Sequence, residues 1–180
     1  MNYCEAVQVM PEGSLHHYYH DVQYGFPIGD DNELFGRLIL EINQAGLSWT
    51  TILRKADNFR KAYSDFSIKT VAAYGEEDRL RLLSDSGIIR NRLKIEAAIF
   101  NAQRIQELQQ QHGSFLNWLK EHHPKDKSEW TKLFSKTFRF TGGEIVNEFL
   151  MSTGYLPGAH TPDCPVFEKT RAAGALHFFS

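Results

Sequence analysis

The residues best suited to metal chemistry lie near the two ends of the 180-residue chain. His160 and Cys164 have the spacing H-x3-C, which lies within the range of zinc-finger ligand spacings. Cys4, together with one histidine of the segment HHYYH at 16–20, would complete a Cys2His2 tetrahedron. This ligand set suits zinc better than magnesium or calcium, and four protein ligands make a closed, structural site. The spacing alone leaves open that Cys4 and Cys164 are two unrelated buried thiols.

A second group combines one carboxylate with aromatic rings. Glu41 lies on the same helical stripe as Leu34 and Leu38, where burial of an unpaired charge is costly. Either Glu41 reaches solvent at the edge of this stripe, or it is a buried acceptor that faces an aromatic pocket. The rings that would form the pocket are those of Tyr18, Tyr19, Tyr24 and Trp49. They either fill the core or form a cage for a flat cationic ligand, because aromatic faces attract cations.

Two glycine-containing turns precede predicted helices, at residues 86–90 and 138–143. Free amides at a helix N-terminus bind phosphate, and basic residues lie beside both turns. We therefore interpret the turns as candidate contacts with a DNA backbone, although such residues are more often part of a solvated face. The candidate contact residues are Arg90, Arg92, Lys136, Arg139 and Gly142.

The elements that must position these groups are helices, since apolar residues recur at helical spacing and no segment alternates as a strand does. The fold class predicted is all-α. Asp30 or Asp31, Ser48 and Ser114 are expected to cap helices, and Gly113 is expected to end one. The predicted helices run from about 31 to 42, from 49, and over 57–67, 70–74, 76–83, 92–111, 115–119, 128 onward and 144–152. Residues 1–29 are predicted to be irregular and residues 155–180 loop-like.

Composition and charge limit the class of protein. The formal net charge of −2 provides no global basic field, which leaves only a local basic face for nucleic acid. No apolar run is long enough to span a membrane, and no signal-peptide pattern is present at the N-terminus. We therefore expect a cytoplasmic, monomeric protein with one domain over 1–180. Its helical core would cover 30–154, and its terminal segments 1–29 and 155–180.

Taken together, these segments resemble the DNA-3-methyladenine glycosylase I family, the bacterial Tag enzymes. The resemblance extends from Cys4 to about Cys164. It rests on YHD at 19–21, YGFP at 24–27, QAGLSW at 44–49, GIIRNR at 87–92 and FRFTG at 138–142. The last of these segments looks like the family's helix-hairpin-helix turn.

The resemblance implies a helix-hairpin-helix DNA glycosylase-like domain whose termini are clamped by one structural zinc ion. It places the zinc ligands at Cys4, His20, His160 and Cys164. It places recognition of the base at Tyr19, Tyr24, Glu41 and Trp49, with Glu41 as the catalytic candidate. The implied activity is hydrolysis of the N-glycosidic bond of 3-methyladenine in alkylated double-stranded DNA, which releases the free base.

A base methylated at N3 carries positive charge and is already a good leaving group, so strong acid catalysis is unnecessary. The chain departs from the family pattern at Ala6, Tyr24 and Glu144. Ala6 removes an expected aromatic wall, and Glu144 places an anion where a phosphate would dock. One alternative is therefore a catalytically impaired homologue that binds DNA or a modified base without turnover. Another is a small zinc-stabilised protein with an interaction role.

Overall fold

The computed structural model describes all residues from 1 to 180 and contains helices and no strands, which confirms the all-α prediction. The α-helices are α1 (Tyr3–Gln8), α2 (Leu15–Tyr18), α3 (Asp31–Gln44), α4 (Trp49–Ala62), α5 (Ile68–Ala72), α6 (Glu76–Ser84), α7 (Arg92–His112), α8 (Phe115–His122), α9 (Lys127–Thr137), α10 (Gly143–Ser152) and α11 (Phe167–Ala172). A π-helical turn covers Tyr19–Gln23, and 3-10 turns cover Ser64–Phe66 and Leu176–Phe179. No helix combines the length and the apolar character that crossing a membrane requires.

Capping residues set the ends of the helices that carry the site. Asp30 caps α3 and Ser48 caps α4, since each side chain accepts a hydrogen bond from an amide of the first turn. Gly113 ends α7 in a left-handed conformation, with φ of 84°. These ends agree with the sequence prediction, because short polar side chains and glycine favour those positions for local reasons.

The core is built around α3, which packs against α4, α7, α8 and α10. At Gly36 a Cβ atom would lie 2.3 Å from the ring of Phe66, so only glycine lets α3 approach that ring. Large aromatic side chains fill the remaining core, among them Phe35, Phe59, Tyr63, Phe115, Trp130, Phe134 and Phe149. Because α3 and α10 are in contact, residues of both helices can line one cavity.

The prediction that residues 1–29 are irregular is wrong, since they contain α1, α2 and the π-helical turn. Residues 155–180 likewise contain α11 between loops. A capping box of Asn2 and Glu5 starts α1, and Ser14 caps α2. These helices have six residues or fewer, too few to show a clear apolar period, and tertiary contacts rather than propensity stabilise such short helices.

Two central boundaries also differ from prediction. The helix predicted over 57–67 ends at Ala62, because Ser64, Asp65 and Phe66 all have positive φ. The short helix predicted over 70–74 lies two residues earlier, at Ile68–Ala72, where Ser67 caps it. Both differences lie outside the segments that carry the candidate site.

Candidate metal cluster and base pocket

Four side chains from the two ends of the chain meet in one buried cluster, formed by Cys4, His20, His160 and Cys164. One atom from each lies within 4.8 Å of the others. Both Sγ atoms lie 3.6 Å from His160 Nδ1, and Cys164 Sγ lies 3.7 Å from His20 Nε2. A tetrahedral zinc ion with bonds of about 2.3 Å to sulfur and 2.0–2.1 Å to nitrogen separates such ligands by about 3.6 Å. The cluster therefore has the dimensions of a four-ligand metal site.

The second nitrogen of each histidine in the cluster already has a partner. His20 Nδ1 lies 2.6 Å from Asp21 Oδ1, and His160 Nε2 lies 2.7 Å from the carbonyl oxygen of Tyr24. Histidines that bind metals usually donate their other N–H to a carboxylate or a carbonyl, which fixes the tautomer and the ring orientation. His20 can thus offer Nε2 to a metal, and His160 can offer Nδ1.

Gly25 allows the chain to pass close to this cluster. Its φ is +81°, and a Cβ atom there would lie 2.9 Å from the Cβ of Ala159 and 3.2 Å from the ring of His160. Its amide donates to the carbonyl of Ser152 at 2.9 Å. Any other residue would combine strain with a steric clash, so glycine keeps Tyr24 beside the histidine that it bonds.

A cavity of about 420 Å³ lies between α1, the π-helical turn, α3, α4 and α10. Its walls are formed by Tyr3, Tyr19, Tyr24, Glu41, Gln44, Trp49, Glu144 and Glu148. The ring centroid of Tyr19 lies 5.1 Å from that of Trp49 and 5.5 Å from that of Tyr24. Tyr18 does not belong to this set, because its side chain is exposed. The structure therefore brings together the four residues predicted for base recognition.

Glu41 is the buried acid of this cavity, which contradicts the alternative that it reaches solvent. The residue is only 4% exposed. Burial raises the pKa of Glu41 to about 8; Arg37 opposes this rise and Glu148 adds to it. The indole Nε1 of Trp49 is also buried and has no hydrogen-bond partner. The carboxyl group of Glu41 lines the cavity and accepts no hydrogen bond from the protein. Buried polar groups normally have partners, so this group indicates a place for a polar ligand.

Arg37 supports the pocket from behind the ring of Tyr19. Its guanidinium carbon lies 5.2 Å from the centroid of that ring. Its Nη1 donates to the carbonyl of Ser152 at 3.3 Å and to the hydroxyl of Tyr19 at 3.5 Å. Sequence reasoning missed this residue, because an arginine in an apolar helix is usually interpreted as one whose charged end reaches solvent.

The sequence analysis also missed Tyr3. This residue provides an aromatic wall of the pocket, although Ala6 was expected to leave such a wall missing. Its ring centroid lies 5.3 Å from that of Tyr24, with the planes nearly perpendicular. Its hydroxyl lies 2.9 Å from His16 Nδ1, and His16 Nε2 lies 2.8 Å from the hydroxyl of Thr50. The only signal in the sequence was the position of Tyr3 directly before a candidate metal ligand.

The pocket and the metal cluster share their supporting segments. Tyr3 precedes Cys4, Tyr19 precedes His20, and the carbonyl of Tyr24 accepts from His160. Displacement of Cys4, His20 or His160 would therefore move a tyrosine of the pocket wall. The cluster thus positions one side of the cavity.

Lys94 fixes the loop between α3 and α4, which leads to Trp49 in the pocket wall. This residue is buried, and its ammonium group donates to the carbonyl of Asn43 at 2.9 Å and to that of Ala45 at 2.7 Å. The contact ties α7 to the turn that leads to Trp49. Lys94 lies near Arg90 and Arg92 in the sequence, but its ammonium group is used to stabilise the fold.

The candidate DNA-contact residues are exposed. Helix α7 contacts both the residues at the first glycine-containing turn and those at the second. Arg90 and Arg92 lie at its start, where Arg92 Nη2 is 3.6 Å from Glu76 Oε1. The guanidinium carbon of Arg139 lies 3.9 Å from the ring centroid of Phe100, about 12 Å further along α7. Asn101 on α7 also exchanges hydrogen bonds with the backbone of Arg139, at 2.8 and 3.1 Å.

The second turn joins α9 to α10, which pack against each other. Lys136 is exposed in the last turn of α9, and Gly142 is exposed at the N-cap of α10. Glu144, in the first turn of α10, bonds Lys127 at 2.8 Å. The expected anion at this position therefore has a cationic partner.

Comparison with known proteins adds independent evidence. A model of the methyladenine glycosylase family matches residues 10–137. DNA-3-methyladenine glycosylase 1 of Escherichia coli (strain K12) is 36% identical, over 81% of this chain and 88% of that protein. The DNA-3-methyladenine glycosylase of Haemophilus influenzae (strain ATCC 51907) is 32% identical, over 86% and 93% respectively.

Among solved structures, similarity extends to a tyrosine-to-phenylalanine variant of 3-methyladenine DNA glycosylase I (TAG) in complex with 3-methyladenine. The TM-score is 0.80 at 30% identity, and the match covers 92% of this chain and 97% of that chain. The helical fold and the sequence similarity agree, and the chain belongs to the methyladenine glycosylase family. The family resemblance inferred from short sequence segments is thereby confirmed.

Proposed function

We propose that the protein hydrolyses the N-glycosidic bond of 3-methyladenine in alkylated double-stranded DNA. The observation that supports this most directly is the buried, unpartnered carboxyl group of Glu41 in an aromatic cavity. A flat cationic base fits such a cavity, because aromatic faces attract cations and a carboxylate accepts strong hydrogen bonds from an amino group. The solved structure of a relative with the same fold contains 3-methyladenine.

The roles of the pocket residues follow from their positions. The damaged nucleotide leaves the DNA stack at a lower energetic cost than a normal one. Its base then stacks against Trp49 and packs against Tyr19, while Glu41 accepts from its amino edge. A cation beside Glu41 lowers the pKa of that carboxyl group, so binding of the base favours the carboxylate.

The bond that breaks joins the sugar C1′ atom to N9 of the base. Its electron pair moves to the base, which neutralises the positive charge and releases free 3-methyladenine. Water then adds to C1′ and loses a proton to solvent. Neutral adenine is a poor leaving group and gains less from Glu41, so the pocket discriminates against the normal base.

We also infer that Cys4, His20, His160 and Cys164 hold one structural zinc ion. The sulfur–nitrogen separations and the bonded second nitrogen of each histidine fit that ion. Zinc would supply a fixed tetrahedral anchor here, because four protein ligands leave no position for substrate. It would clamp 1–29 and 155–180 onto the core at 30–154 within a single domain.

We further infer that the DNA backbone docks on the turns before α7 and α10, with α9 and α10 as a helix-hairpin-helix unit. Arg90, Arg92, Lys136 and Arg139 are exposed cations on these elements. A Cβ atom on Gly142 would meet no neighbour within 4 Å, so the start of α10 is open to a close approach. Helix N-termini of this kind bind phosphate through their amides.

The activity is tested by release of free 3-methyladenine from methylated duplex DNA, followed by chromatography. We expect the purified protein to release the base in repeated turnovers and the Glu41→Gln variant to do so about 10- to 150-fold more slowly. Release no faster than from DNA alone, combined with binding of 3-methyladenine, would favour the impaired homologue that only binds the base.

A further inference from the structure

Besides the buried Glu41, the cavity is lined by a half-buried acid, Glu148, which has no role in breaking the N-glycosidic bond. Glu148 lies on α10 and lines the same cavity as Glu41 on α3. The hydroxyl of Tyr24 donates to Glu148 Oε2 at 3.5 Å, a long hydrogen bond. The two carboxyl groups therefore belong to two helices that pack against each other across one ligand-sized space.

The cations nearest to this pair already have other partners in the protein. Arg37 lies behind Tyr19 on the α3 side, whereas Lys127 of α9 is already bonded to Glu144. Tyr3, Tyr19 and Tyr24 complete the walls, and burial raises the pKa of each of them, so they are neutral hydroxyls at pH 7. Burial also raises the pKa of Glu148, which Glu144 raises further, while Tyr24 and Lys127 oppose the shift.

A group of acidic side chains alone does not define a ligand site. Here, Glu41 is more than nine-tenths buried and no protein group donates a hydrogen bond to its carboxyl group, although it lines the cavity. The walls around it are aromatic, and the ring centroids of Tyr19 and Trp49 lie 5.1 Å apart. These two observations indicate a bound molecule that is both polar and flat, and the second carboxyl group adds a requirement on its charge.

We propose that Glu148 is a second specificity-determining residue of the pocket, which acts with Glu41 to select a cationic purine over a neutral purine of the same shape. The inference rests on the proposed function, because it assumes that the cavity receives the base. In the empty pocket Glu41 is largely protonated at pH 7, because its pKa is about 8. A cationic purine between the two carboxyl groups stabilises the ionised form of both, whereas a neutral purine displaces water from both and gains no charge interaction.

The test compares two small probes, the permanently cationic 3,9-dimethyladeninium and the neutral 9-methyladenine, by tryptophan fluorescence titration. Glu148→Gln preserves the size of the side chain and an acceptor for the hydroxyl of Tyr24. We expect this variant to bind the cation roughly tenfold more weakly and to keep its affinity for the neutral probe within about twofold. Glu168→Gln, an exposed acid on α11, is the matched control and should change neither affinity.

Two outcomes would overturn the inference: an unchanged preference for the cation in Glu148→Gln, or an equal loss of affinity for both probes, which a merely structural role predicts. Binding of neither probe by the wild type would also overturn it. The release assay on methylated DNA is run on the same preparations. If the wild type releases 3-methyladenine and Glu148→Gln keeps its preference for the cation, the proposed function stands and only the role of Glu148 falls. If the preference depends on Glu148 but no base is released, the proposed excision falls instead.

Discussion

The metal cluster and the base pocket lie on the same segments but differ in whether their polar atoms have hydrogen-bond partners. In the cluster, the second nitrogen of His20 and that of His160 are each bonded, so both rings are fixed with one nitrogen towards the cysteines. In the pocket, Glu41 and Trp49 Nε1 have no protein partners. On the proposed function, this is the difference between a site for a permanent ion and one for an exchangeable ligand. The first is closed and fully supported, and the second keeps hydrogen-bonding groups unpaired at a cost in stability.

The largest effect is expected from a substitution in the metal cluster. Cys164→Ala should lose the metal and lower the free energy of unfolding by about 3–5 kcal/mol, comparable to loss of a disulfide that closes a long loop. Metal analysis of protein purified without added zinc should find about one zinc per wild-type chain and little in the variant.

His17→Ala is the control for that experiment, because His17 lies in the same histidine-rich segment but outside the cluster. It should keep its metal. A wild-type protein without zinc, or a variant of Cys164 with unchanged stability, would show that the cluster does not clamp the termini.

The next largest effect is on stability, because Glu41 is buried in the pocket without a hydrogen-bond partner. The pKa of Glu41 is about 8 in the folded protein, against a usual value of 4.5. The folded state therefore binds the proton more tightly, and the stability that this contributes is present below pH 4.5 and is lost as the pH rises towards 8. Glu41→Gln removes the dependence, so its stability relative to wild type should increase by about 3–4 kcal/mol between pH 5 and pH 8.

Urea unfolding of both proteins at the two pH values measures this difference. Glu168→Gln is the control for removal of a carboxylate from the exposed surface. A constant difference for Glu41→Gln as well would mean that Glu41 is solvated in the folded protein.

The smallest effect is expected on the exposed surface. Arg139→Glu should weaken binding to duplex DNA of any sequence and reduce the slope of log affinity against log salt by about 0.9, the value for one phosphate contact. Arg171→Glu on α11 is a control for the change in net charge. Equal slopes for wild type and Arg139→Glu would remove this residue from the DNA surface.

The sequence predicted the parts of the fold that depend on local rules. Asp30, Ser48 and Gly113 set helix ends because capping preferences act within a few residues. Glu41 was identifiable because a carboxylate on an apolar stripe conflicts with its surroundings. Its burial was still undecided, since a small error in helical phase moves a side chain from core to solvent.

The remaining features depend on contacts between distant segments. The spacing of His160 and Cys164 indicated a metal site, but the choice of His20 among the early histidines came from the family resemblance. In the structure, His20 reaches the cluster because the π-helical turn at Tyr19–Gln23 directs both Tyr19 and His20 inward. No apolar period in the sequence predicts this turn. Glu148 had no sequence signal, because an acid one helical turn after Glu144 is ordinarily a solvated residue.

Titration of free 3-methyladenine into wild type and Glu41→Gln tests most directly whether the base occupies the cavity beside Glu41. Tryptophan fluorescence or calorimetry gives both dissociation constants. Above pH 8, where Glu41 is ionised, loss of its charge-assisted hydrogen bond, about 1.5–3 kcal/mol, predicts binding roughly 10- to 150-fold weaker in the variant. Equal affinities in the two proteins would contradict the account and place the base outside the reach of Glu41.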